Sequence, residues 1–177
     1  MKKPVSLIYT DGVCVYISVN VSNPVIGKVA LILADLMLLC PVIIGITEGI
    51  LALILLSGVF FLFLLKYTLW NFWGQENIII STKSVSYQQN YGLFKTGYTT
   101  KTIFNRLVID YLDDGNEPGC VNCRFITYGE TNHIPFEIYQ MIFPINLKDA
   151  RKIGELLDKL FIDQLSDGFG MPHISLN

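Results

Sequence analysis

Basic charge is scarce in this chain: 13 Lys and Arg stand against 15 Asp and Glu over 177 residues, a net charge of −2. A protein that neutralises phosphates along a nucleic-acid backbone concentrates cations, so nucleic acid is not an expected partner. Cysteine is scarce too. Cys14, Cys40, Cys120 and Cys123 lie in different settings, one of them inside an apolar run, which excludes the disulfide framework of a small secreted domain. Histidine is rarer still, with His133 and His173 alone. No P-loop, glycine-rich dinucleotide turn, HExxH or nucleophile elbow occurs. Hydrolase chemistry would have to come from serines, His133 and scattered aspartates with no spacing to recommend them, and no cofactor is implied. The opening residues also lack the form of a leader: Met1, Lys2 and Lys3 run into a polar-interrupted stretch, so the first long apolar run reads as an anchor.

What the chain does have is apolar sequence. Hydrophobic residues make up 51% and mean hydropathy is +0.45, with the excess concentrated between Val25 and Trp70. Residues 25–46 and 50–70 form two such runs. As a helix the first reaches about 33 Å at roughly 1.5 Å per residue, enough to cross a hydrocarbon core, and the second is of similar length. Only Thr47, Glu48 and Gly49 separate them, so the sequence predicts an antiparallel transmembrane hairpin with both polar ends on one side. The connection holds no Lys or Arg, whereas Lys2, Lys3 and Lys28 precede the hairpin end and Lys66, Lys83, Lys95 and Lys101 follow it, which places both termini in the cytoplasm. Tyr67, Trp70, Phe72 and Trp73 cluster as an interfacial aromatic belt.

Two ionisable residues fall inside the spans. Lys66 is shallow enough to snorkel to the interface. Asp35 is deeper, on the order of 10 Å beyond Lys28. Its carboxyl either hydrogen-bonds a partner helix near Ser57, contacts another membrane subunit, or handles ions. Together with the small residues Gly45, Gly49, Ser57 and Gly58, Asp35 marks candidate helix contacts.

Outside the spans the pattern is β. Residues 5–19 read as two period-two runs joined by Asp11-Gly12, a signature of a type I′ hairpin. Segments 77–82, 84–91, 98–112, 123–129 and 138–145 are rich in β-branched and aromatic residues, separated by turn-forming stretches at 83, 92–97, 113–119 and 129–135. The count is about seven antiparallel strands. From 147 to 165 the period becomes helical, with Asn146 as N-cap and Ala150, Ile153, Leu157, Leu160, Phe161 and Gln164 on one face. This predicts a small β barrel or sandwich closed by one C-terminal helix. Residues 1–20 complete the sheet, 74–165 form the main domain, and 166–177 read as a mobile tail.

The exit sequence WNFWGQENIIISTKSVSYQQ and the final LKDARKIGELLDKLF, set around a two-helix hairpin, resemble bacterial two-helix membrane proteins with a pleckstrin-homology-like cytoplasmic domain. The resemblance runs from the first strand to Leu165, with its most specific part at Gly74-Gln75-Glu76. It implies a PH-like domain in a bacterial inner membrane with a binding or scaffolding role rather than catalysis.

Three function classes follow. The first is a noncatalytic scaffold or accessory subunit, binding a protein partner or itself beside the membrane. The second is an anionic-lipid sensor using Lys83, Lys95, Lys101 and Arg106, with Phe94 dipping among headgroups; the Gly92–Gly97 stretch carrying Phe94 reads as a β-turn with an apolar tip. The third rests on Cys120 and Cys123, a CxxC expected in a loop. That pair is two plain thiols, half of a metal site with His133 or His173, or a redox pair.

Overall fold

The computed structural model describes residues 6–104, 106–113, 119–129 and 134–168. Lys2, Lys3, His133, His173, most of the turns expected over 113–119 and 129–135, and the tail beyond 168 lie outside the described residues.

In β2 (Cys14–Asn20) and β3 (Gln75–Ser81) every second residue is buried, the signature of a strand with one face on a core. These strands pair antiparallel from Cys14↔Ser81 to Asn20↔Gln75. Between them the chain makes its excursion through α1 (Val25–Glu48) and α2 (Leu51–Trp73), each long and apolar enough to cross a membrane. The hairpin is therefore an insertion between two neighbouring strands of one sheet. β1 (Ser6–Thr10) lies outside β2, and β4 (Ser84–Asn90) and β5 (Thr99–Thr102) continue the sheet beyond β3. The second sheet holds β6 (Leu107–Asp113), β7 (Cys120–Tyr128) and β8 (Pro135–Gln140), with β9 (Ile145–Asn146) also on β7. Both sheets are open. Ile17, Ile78, Ile80 and Val85 from the first meet Phe125, Ile138 and Ile145 from the second. α3 (Leu147–Gly168) closes this core with Ala150, Ile153, Leu157 and Leu160, and Asn146 caps it by accepting the Lys148 amide at 3.1 Å.

Several sequence expectations change. α1 and α2 run past their expected ends at 46 and 70, leaving Gly49 (φ 69) and Ile50 as the connection. The first hairpin turn spans Asp11, Gly12 and Val13 rather than two residues, because the Asp11 carboxylate accepts the Val13 and Cys14 amides and holds a longer turn. The strand expected over 98–112 is two strands in different sheets. Its corner is held by the Ile103 amide on the Lys83 carbonyl and by the Thr127 hydroxyl on the Arg106 carbonyl, partners that only the assembled fold supplies. The segment 138–145 is likewise split by a turn into β8 and β9, so nine strands stand among the described residues instead of about seven.

The junction of hairpin and sheet is tight. The Val21 amide donates to the Gly74 carbonyl at 2.9 Å, and Asn23 bonds Asn71 across the two chain crossings. A Cβ at Gly74 would lie 2.2 Å from the Trp70 carbonyl oxygen and 2.6 Å from Val21 Cγ2, so only glycine fits.

Candidate functional site

The helix-contact residues separate by location. Gly45 faces the hairpin itself: a Cβ there would sit 2.8 Å from Ile54 Cγ1. Ser57 is buried and its hydroxyl donates back to the Leu53 carbonyl, not to Asp35. Asp35 keeps a buried oxygen, Oδ1, without a hydrogen-bond partner among the described residues. Gly49 is the helix cap, and Gly58 opens onto empty space.

The headgroup set divides between the two ends of β4, about 20 Å apart at ~3.4 Å per residue. Lys83 sits in the β3–β4 turn, the end away from α2. Lys101 opposes Val85 there, with its Nζ donating to the Ile138 carbonyl at 2.7 Å, and the Arg106 guanidinium lies 5.2 Å from the Tyr128 ring. Phe94 and Lys95 are at the other end, where Tyr91 stacks on Phe94 at 4.6 Å and Gly92 is pressed against Trp73 of α2. These five residues are not one surface.

Cys120 and Cys123 lie within β7, not in a loop. Three residues apart on a strand, they point to opposite faces. Both are buried, and burial together with the nearby Glu76 charge pushes the Cys123 thiol up to about 12. Among the described residues no group of three metal-ligating side chains forms.

The most constrained polar group was missed in the sequence. Glu76 is completely buried. Tyr139 Oη donates to its Oε1 at 2.7 Å, and the Ile142 and Phe143 amides reach Oε2 at 3.1 and 3.3 Å. Burial still raises its pKa above the ordinary carboxylate value, against the pull of those donors. The available signal was phase: Glu76 stands two and four residues before Ile78 and Ile80, on the inward face of β3. This carboxylate ties the first sheet to the turn between β8 and β9, whose Phe143 ring lies 5.1 Å from Trp70 of α2.

An opening in the β domain lies between β6 and α3. β6 pairs with β7 alone among the described strands, so its outer edge is open. α3 packs on β1, β2, β7 and β9, and a cleft of about 640 Å³ lies between it and β6. Leu107, Ile109 and Tyr111 of β6 line it, facing Leu157 and Phe161 of α3. At one end Tyr111 Oη donates to the Ala150 carbonyl at 3.3 Å and crowds Gly154. Arg106 and Asp158 put one charge of each sign on the rim. An open strand edge beside an apolar wall can pair main chain with main chain while pockets take alternate side chains.

Comparison with protein-family models, curated proteins and solved structures finds no match for this chain.

Proposed function

We propose that this protein is a noncatalytic membrane-anchored scaffold whose β domain takes an extended segment of a protein partner along the open edge of β6. The hairpin crosses the bilayer, with Lys28 and Lys66 toward the cytoplasmic side, and both termini and the β domain face the cytoplasm. The observation that carries the reading is the cleft between β6 and α3. Its strand edge pairs with no further strand among the described residues, its apolar lining comes from both β6 and α3, and its rim suits a guest with an acidic group at Arg106 and a basic group at Asp158. The rigid junction supports it as well, since a domain bonded at Val21 and Gly74 presents this cleft at a fixed height above the membrane. A noncatalytic role fits the placement of the perturbed groups: Glu76 and Cys123 are fully buried in the core and absent from the cleft lining, while Tyr111, whose pKa is raised by burial, lines the cleft with its hydroxyl on the Ala150 carbonyl.

The test is selection of extended peptides on the full-length protein in nanodiscs, followed by hydrogen exchange. Bound peptide should slow exchange at β6 amides, and Arg106→Glu or Asp158→Lys, at exposed positions of the cleft, should weaken binding several-fold while leaving the melting temperature within a few degrees. Peptides that bind equally well to both variants, or that protect amides elsewhere, would reject the reading.

A further inference from the structure

The second feature that calls for a ligand lies where α2 meets the β domain. Phe63, Lys66, Tyr67 and Trp70 are spaced i, i+3, i+4 and i+7, one face of α2, and with Tyr91 they line a pocket of about 160 Å³. Phe63 and Tyr67 are exposed on the outer surface of the hairpin, so the pocket opens where acyl chains would lie. Tyr91 forms its upper wall, held by Trp70 with ring centroids 4.9 Å apart and by Phe94 on its other side. Lys66 Nζ reaches up over the Tyr91 ring, 5.4 Å from its centroid.

The pocket holds a cation without a counter-ion. The ion pairs among the described residues belong to Arg124, with Asp110 and Glu137, and no described carboxylate pairs with Lys66. Lys66 is seven residues before the end of α2, about 10 Å along the axis, within an aromatic belt that marks headgroup depth. An ammonium at that depth, backed by rings and open to lipid, matches one chemistry: a phosphate attached to acyl chains. Lys28, its counterpart on α1, differs. Besides a ring contact, with the Phe72 centroid at 5.2 Å, its Nζ has a backbone acceptor in the Phe72 carbonyl oxygen at 3.5 Å.

We propose that Lys66, Tyr67, Trp70 and Tyr91 form a binding site for an anionic phospholipid, with the lipid phosphate on Lys66 and an acyl chain along Phe63. The site rests on the membrane-spanning reading of the hairpin and is independent of the β6 cleft. The bound lipid joins α2 to the 91–98 segment, whose Leu93 and Phe94 are exposed beside it, and so fixes the tilt of the β domain.

Native mass spectrometry of the full-length protein released from micelles tests this, with phosphatidylglycerol and phosphatidylcholine of identical chains as probes. The wild type should retain phosphatidylglycerol about fivefold more strongly, the effect of one interfacial cation. Lys66→Gln should bring the two lipids to parity, whereas Lys66→Arg and Lys28→Gln should keep the preference. Millimolar inorganic phosphate should not compete; if it does, the site takes a soluble phosphate and the lipid assignment falls. A Lys66→Gln variant that keeps the full preference, or a wild type that shows none, also overturns the proposal. Alkaline carbonate extraction separates the two readings: protein released into the supernatant refutes the membrane span, while protein that stays in the pellet and lacks the lipid preference refutes the site alone.

Discussion

Glu76 concentrates more of the fold's polar bonding than any other side chain in the core. Replacing it with alanine would leave Tyr139 Oη and two backbone amides facing a void, which costs about 2–4 kcal/mol and should appear as a lower denaturant midpoint. Glu76 also sets a pH dependence. Its folded-state pKa is raised above 4.5, so the native state holds the proton more tightly than the unfolded chain. Its contribution to stability is full below 4.5 and is lost as pH rises through the folded value. The stability of the wild type relative to Glu76→Gln should therefore fall as pH increases across that window; a difference that grows with pH would contradict the balance between burial and hydrogen bonding. Cys123 offers a simpler check. With its thiol pushed up to about 12 and no exposed surface, it should resist alkylation at pH 8 until the protein is unfolded, as peptide mass mapping of a Cys14→Ser/Cys40→Ser variant would record. Labelling within minutes in the native state would be the contrary result. The burial of both residues escapes a reading by residue type, because a CxxC and an acid look the same in a loop and in a core.

Elements differ in how far local sequence specifies them. α1, α2 and α3 follow from hydropathy and from a period confined to neighbouring residues, and their expected bounds lie within three residues of those in the structure. β5 and β6 do not, since 98–112 has continuous strand propensity and its break depends on Lys83 and Thr127 from elsewhere in the chain. Packing between helices is equally non-local. Gly45 and Gly58 are both glycines in apolar helices, yet Gly45 abuts Ile54 and Gly58 abuts nothing. Gly45→Ala should destabilise the hairpin by about 1–3 kcal/mol through overpacking. Gly58→Ala should be neutral or slightly stabilising from helix propensity. Thermal unfolding in one detergent would compare them, and equal effects would mean that the helices do not meet at Gly45.

At the scale of the whole molecule, the hairpin leaves and re-enters one sheet at adjacent, paired strands. An insertion of three glycines between Gly49 and Ile50 lengthens a connection and gives up the Ile50 amide bond to the Gly45 carbonyl, a loss of about 1–2 kcal/mol. The same insertion between Gly74 and Gln75 breaks the bond to Val21 and the contact with Trp70, so a loss several times larger is expected in denaturant titrations. Comparable losses would show that hairpin and sheet are mechanically independent. The sequence by itself determined that two long apolar helices are joined by a short link and followed by strands and one amphipathic helix, because hydropathy and period act within a few residues. Only the tertiary structure decided which donors meet Glu76 on its inward face, that Lys83 and Lys95 sit at opposite ends of β4, and that β6 pairs with β7 alone among the described strands. Those outcomes depend on which distant segment arrives as a neighbour, and no local pattern encodes the neighbour.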